Sequence, residues 1–97
     1  MEVVVLPQAL DELHDATGFY DNEHPETAAL FIEEVDRVFE LLSAHPHLGT
    51  PTRRNARRYA LGRFPYKLIY RVEPERVVIV AVAHDRRRPW YWLKRIK

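Results

Sequence analysis

Residues 66–84 read YKLIYRVEPERVVIVAVAH. The first part alternates. Tyr66, Leu68, Tyr70 and Val72 fall on one face of an extended chain, and Lys67, Ile69 and Arg71 on the other. The EPER stretch, 73–76, is a turn. Val77 to Ala83 is then apolar without a break, too short to cross a bilayer and suited to a strand buried on both faces. Two such runs around a short turn predict a β-hairpin. A hairpin alone does not bury its apolar face, so the rest of the chain must cover it.

The upstream chain supplies the cover. Val3 to Leu6 is a short β-branched strand, and Pro7 opens a helix from a favourable first-turn position. Leu10, Leu13, Thr17 and Tyr20 recur along it at helical spacing, and the chain turns around Asp21 to His24. Pro25 opens a second helix, in which Ala28, Phe31, Ile32, Val35, Val38, Phe39 and Leu42 form an apolar stripe. The short connection makes the pair an antiparallel helical hairpin. Pro46, Gly49 and Pro51 break the next stretch into a loop, and Tyr59 to Phe64 is expected as a third strand. The tail after His84 is expected to run irregularly or to start a short helix at Pro89.

The fold class is therefore α+β. An antiparallel sheet of about four strands is expected, with the helical hairpin on one face, in the order β-α-α-β-β-β. Residues 1–97 are read as one domain. The other sheet face is expected to be open and to carry Lys67, Arg71 and Arg63.

Net charge is +1, but its distribution is far from even. Residues 1–48 hold eleven acidic side chains and one basic one, Arg37, a net of −10. Residues 49–97 hold fourteen lysines and arginines against Glu73, Glu75 and Asp85, a net of +11. Such asymmetry suggests an anionic partner for the basic half. The alternative is that the two halves neutralise each other across the fold. The chain has no cysteine, which excludes disulfides and thiolate metal sites and fits a reducing cytoplasm. The first residues carry no basic start, so no secretory signal is read there, and no membrane segment is expected.

Three basic groups stand out. Arg53, Arg54, Arg57 and Arg58 crowd the loop, and guanidinium forks of this kind pair with phosphates or carboxylates. Arg63, Lys67 and Arg71 form the second group. The third is the terminal cluster, His84, Arg86, Arg87, Arg88, Trp90, Tyr91 and Trp92. Arginine beside aromatics is the chemistry of base stacking and of protein–protein hot spots; one tryptophan is expected to plug the core instead. Metal ligation is not expected: His45 and His47 flank Pro46 without partner residues, and His14 and His24 sit among acids. No cofactor is expected, since no glycine-rich phosphate loop is present. Metal-free RNA cleavage would need a base, a proton donor and cations around the phosphate. His84, Tyr91, Lys67 and the arginines offer such a set.

The stretches ALDELHDATGFY (9–20), PETAALFIEEV (25–35), RFPYKLIYRV (63–72) and VVIVAVAHDRRRPWYW (77–92) together resemble the RelE/ParE superfamily of type II toxin–antitoxin toxins, also called plasmid stabilisation proteins. The resemblance spans nearly the whole chain and implies the same strand–helix–helix–sheet order. It also implies a cognate antitoxin, ParD-like or similar, which blocks the toxin and through which alone operator DNA would be met. RFPY and RRRPWYW resemble the ParE side, which implies a non-enzymatic toxin that poisons DNA gyrase. Its target- or antitoxin-binding residues would be Arg63, Lys67, Arg71, Arg86, Arg87, Arg88, Trp90, Tyr91 and Trp92. A RelE-like reading implies an mRNA interferase acting on the ribosome, with Lys67, His84, Arg86 and Tyr91 as its catalytic set. A third reading is an inactive toxin fold that only binds its antitoxin and helps repress the operon.

Overall fold

A computed structural model describes residues 1–96; Lys97, the end of the expected domain, lies outside the described residues. The elements are β1 (Glu2–Val5), α1 (Pro7–Glu23), α2 (Pro25–Ala44), β2 (Thr50–Pro51), β3 (Ala56–Ala60), β4 (Tyr66–Glu73) and β5 (Arg76–His84). Short 3₁₀ turns cover Arg53–Asn55 and Leu93–Arg95. Both helices begin on proline, whose missing N–H leaves no gap at a helix start. His24 alone separates them. Its extended backbone ends α1 by donating its N–H to the Tyr20 carbonyl at 2.7 Å, and its own carbonyl accepts the Thr27 N–H at 2.9 Å.

The sheet has five strands in the order β1-β5-β4-β3-β2, and it is mixed. β5 pairs antiparallel with β4 and parallel with β1. The expectation of about four antiparallel strands missed the parallel edge because a parallel partner is joined by a distant crossover rather than a turn. β3 starts three residues earlier and ends four earlier than the expected Tyr59–Phe64: the chain leaves the ladder at Ala60, and Pro65 has no N–H to extend it. The loop read as irregular also contributes β2, an edge strand that tolerates Pro51.

On one face the helices cover the sheet. Phe31, Val35, Val38 and Leu42 of α2 pack with Leu68, Tyr70, Val77, Ile79 and Val82. Ala9 and Ala16 bring α1 against this layer; of the expected stripe Leu13 and Tyr20 pack against it, while Leu10 is 40% exposed. Tyr70 is fully buried and its hydroxyl is satisfied twice, donating to the Pro46 carbonyl and accepting from the Gly49 N–H, each at 2.8 Å.

The second face is not open as expected. The C-terminal tail folds back over it and buries Trp92 and Ile96 against Ala56, Ile69, Val80, Ala81 and Ala83. The alanines leave room for the indole. A bulge in β5 serves both faces. Ile69 pairs with Ala81 and Tyr70 with Ile79, so Val80 is the extra residue and packs with Ala81 on the tail side. Because β5 is apolar from Val77 to Ala83, this phase change exposes nothing polar to either core. Among the described residues no helix is long and apolar enough to cross a membrane.

Candidate functional site

Past Val5 the β1 strand stops, and the edge of β5 would be left unpaired. The Leu6 N–H still reaches the Ile79 carbonyl at 3.0 Å. Beyond it, side chains complete the edge. Glu12 of α1 accepts the Val82 N–H at 3.0 Å, and Arg95 of the tail donates to the Val80 carbonyl at 3.0 Å. The two side chains also pair with each other, Arg95 Nη1 to Glu12 Oε1 at 2.8 Å, both nearly buried. Tyr91 donates its hydroxyl to Glu12 Oε2 at 2.5 Å. Partial burial pushes the Glu12 carboxyl up, but the donors from Arg95, Tyr91 and Val82 more than offset this and hold it below the usual carboxylate range. Burial first, then the bond to Glu12, pushes the Tyr91 phenol well above its ordinary range.

The tail so anchored forms one wall of a groove of about 360 Å³. Arg58 of β3, Lys67 of β4, and Arg87 and Arg88 of the turn after β5 supply its cations, and Asp85 is its one carboxylate. Pro89, Trp90 and Tyr91 supply its apolar wall, with His84 at its rim. Two guanidinium groups lie over rings. Arg53 stands 3.7 Å above Trp90, and Arg87 3.9 Å above Tyr91. Lys67 meets Asp85 only loosely, at 3.7 Å. Among the described residues, neither Arg58 nor Arg88 is ion-paired with a carboxylate. The groove therefore offers net positive charge and a half-exposed indole to an anionic partner.

The sequence-predicted residues divide clearly. Lys67, His84, Arg87, Arg88, Trp90 and Tyr91 are brought together here. Trp92 touches the groove but is 3% exposed, so it is the core plug of the pair. Arg63 does not join them; it lies in a separate depression with Glu34, Arg37 and Phe64. Arg71 shares the face of Lys67 but sits two residues past the buried Ile69, opposite Ala56 and outside the groove. Arg86 is in the exposed turn, where its N–H donates to His84 Nδ1 at 3.0 Å, and its side chain does not line the groove. Arg57 of β3 donates to the carbonyls of His47 and Gly49, and Arg54 of the preceding turn to that of Ile96; these two brace the backbone.

Sequence reasoning missed Glu12 and Arg95. A signal for Glu12 existed: it lies three residues after Ala9 and four before Ala16, on the buried phase of α1. Three residues here hold positive φ without being glycine: Arg54, Asn55 and Trp90. Such backbone costs about 1–3 kcal/mol each and gathers where surrounding structure imposes it. All three flank the contact between the arginine loop and the tail.

A second depression, of about 340 Å³, adjoins the first. Ala16, Phe19, Tyr20, Tyr66 and Val82 make it largely apolar, and His84 and Arg87 border both. Phe19 is 57% exposed there. Among the described residues, no three histidine, aspartate or glutamate side chains group as a metal site.

A family model described as "ParE toxin of type II toxin-antitoxin system, parDE" matches residues 3–89. Among solved structures, the fold is similar to a chain of the "Chromosomal ParDE TA system from P. aeruginosa", with a TM-score of 0.75, 20% identity, and 87% of this chain and 95% of that chain covered. At that identity the likeness is one of fold. No curated protein matches the chain in sequence. The family match takes in α1, α2, all five strands and the Arg86–Arg88 turn, and on that ground the chain belongs to the ParE toxin family of type II toxin–antitoxin systems.

Proposed function

We propose that this chain is a growth-arresting toxin that acts in the cytoplasm by binding DNA gyrase, and that a cognate antitoxin neutralises it by covering the groove between β3, β4 and the tail. The observation that carries the reading is the groove itself. Arg58, Lys67, Arg87 and Arg88 converge on it around the half-exposed Trp90, with one carboxylate among them. Desolvated arginine and tryptophan are the side chains that dominate protein–protein hot spots. Membership of a family named for toxins of parDE systems supports an antitoxin as one partner.

The arrangement favours binding over RNA cleavage. The Tyr91 hydroxyl donates to Glu12 rather than pointing at a substrate, and the Arg86 side chain lies outside the groove. Lys67, His84 and Tyr91 line the groove together, but with Arg86 outside it and the Tyr91 hydroxyl held by Glu12 the four do not make up a proton-transfer set.

The test runs two assays with one preparation. Purified toxin is added to DNA gyrase with relaxed plasmid, and to translating ribosomes with mRNA. Loss of supercoiling, or trapped DNA breaks, with mRNA intact is the expected result. Codon-spaced mRNA cuts with gyrase unaffected would replace this reading with an mRNA interferase. Inactivity in both, with no growth arrest on induction, would leave a fold that only binds its antitoxin.

A further inference from the structure

We propose that Glu12 is a positioning residue for the groove: its carboxylate fixes the Tyr91 ring at the free edge of β5 and thereby sets where the Arg87 guanidinium stands. This rests on the reading of the groove as a partner-binding surface. A carboxylate has about four lone-pair sites. Those of Glu12 receive four donors: the Val82 N–H, the Tyr91 hydroxyl, and Arg95 Nη1 and Nη2 at 2.8 and 3.2 Å. Arg87 is not among them. Its Nη1 makes only a loose ion pair with Glu12 Oε2, at 3.9 Å, and its guanidinium rests on the Tyr91 ring. Arg95 is 5.1 Å from the same ring. Tyr91 is therefore immobilised at its hydroxyl and serves as a platform for Arg87.

The position of that platform matters because Arg87 borders both depressions, the basic groove and the apolar one beside Phe19 and Tyr66. Arg87 is half-exposed, and an exposed arginine side chain otherwise samples many rotamers. Holding it in place before the partner arrives removes part of the ordering cost of binding. Tyr91 and Arg95 lie beyond the segment matched by the family model, so the network is read from this chain's own geometry.

The test is a double-mutant cycle with a readout that needs no partner. Glu12→Gln keeps an acceptor for the Val82 N–H but removes the charge; Tyr91→Phe keeps the ring but removes the hydroxyl that ties it to Glu12. Both are made with and without Arg87→Ala, and each variant is assayed at a temperature where its melting curve shows it folded. In the free protein, ¹⁵N relaxation of the Arg87 Nε–H reports its order. The expected result is a more mobile Arg87 in Glu12→Gln, and a gyrase-inhibitory concentration raised about tenfold in the wild-type background but less than about twofold in the Arg87→Ala background. An Arg87 as ordered as in the wild type, or an equal loss in both backgrounds, overturns the proposal. Should Glu12→Gln not fold, Tyr91→Phe carries the same comparison. Should the wild type fail to inhibit gyrase, the target reading falls while the order of Arg87 still decides for or against Glu12.

Discussion

Replacing Trp92 by alanine tests whether the tail is core or ornament. Trp92 is 3% exposed and packs with Ile69, Val80, Ala81, Ala83 and Ile96, whereas Trp90, two residues earlier, is 41% exposed. A buried aromatic removes about 150–250 Å² from water. At ~25 cal/mol per Å² this is about 4–6 kcal/mol, an upper bound because the unfolded chain is itself partly compact. Alanine retains some of that area and the site closes in part, so a loss of about 3–5 kcal/mol is expected. For a small domain stable by about 5–15 kcal/mol this is roughly a fifth or more of the total. With an unfolding entropy near 2.1 cal/mol/K per residue, the midpoint should fall by about 15–25 °C. Trp90→Ala removes only a stack on Arg53 at an exposed site, about 0.5–1 kcal/mol. Urea unfolding followed by far-ultraviolet circular dichroism measures both, since the backbone signal survives loss of an indole. A Trp92→Ala variant within about 1 kcal/mol of the wild type, or a Trp90→Ala variant equally destabilised, would refute the assignment of the two indoles.

Charge reversal should separate groove from surface: Arg87→Glu is expected to weaken antitoxin binding by roughly 2 kcal/mol or more, and Arg63→Glu, in its separate depression, by less than about 0.5 kcal/mol, both measured by calorimetric titration. Acid should destabilise the fold. Glu12 and Glu34 are both held below the ordinary carboxylate value of 4.5, so their contribution is present above that pH and is lost as pH falls through the lowered folded values. Urea midpoints should be nearly equal at pH 7 and pH 5 and lower at pH 3.5, with a smaller drop in Glu12→Gln. Gly49→Ala should destabilise by about 1–3 kcal/mol, because a Cβ there would stand 2.6 Å from the Tyr70 hydroxyl and 2.8 Å from the Arg58 carbonyl; an unchanged thermal midpoint would show that the loop yields.

The fold was legible where periodicity is local. The alternation of Tyr66 to Val72 and the apolar run after it gave β4 and β5, and two prolines marked both helix starts. The parallel pairing of β1 was not legible, because Val3 to Val5 pair with Val77 to Ile79 across most of the chain. Alternation also put Lys67, Ile69 and Arg71 correctly on one face, but it is silent on what covers that face. The buried Ile69 shows that the tail does. The arginine-rich terminal cluster was legible as a group, and its division was not. Trp90, Tyr91 and Trp92 look alike in sequence, yet one faces solvent, one braces a carboxylate and one fills a core, because a turn with Trp90 at φ 58° sends them in different directions.

The two oppositely charged halves do not cancel, and the geometry gives the reason. The sheet stands between them. α1 and α2, with their acids, lie on one face, while the arginine loop and the tail lie on the other. Among the described residues, Arg37–Glu34, Arg76–Glu73 and Lys67–Asp85 each pair within one half. The ion pairs that join the halves, Arg95 and Arg87, both end on Glu12, which reaches round the edge of β5 where β1 has stopped. Exposed ion pairs are worth only about 0–1 kcal/mol each, and the single nearly buried contact between the halves, Arg95–Glu12, is one pair among many charges, so neutralisation across the fold is not a strong force. What the separation does produce is a field. A face carrying Arg53, Arg58, Lys67, Arg87 and Arg88 draws anionic partners in and speeds their encounter, and the effect weakens as salt screens it. The rate at which the antitoxin associates should therefore fall steeply between 50 and 500 mM salt, roughly tenfold or more, while the dissociation rate, set by the buried contacts around Trp90 and Arg87, changes little. Stopped-flow mixing resolves the two. A salt effect confined to dissociation would mean that the cations act only after contact, and that their clustering on one face has no part in capture.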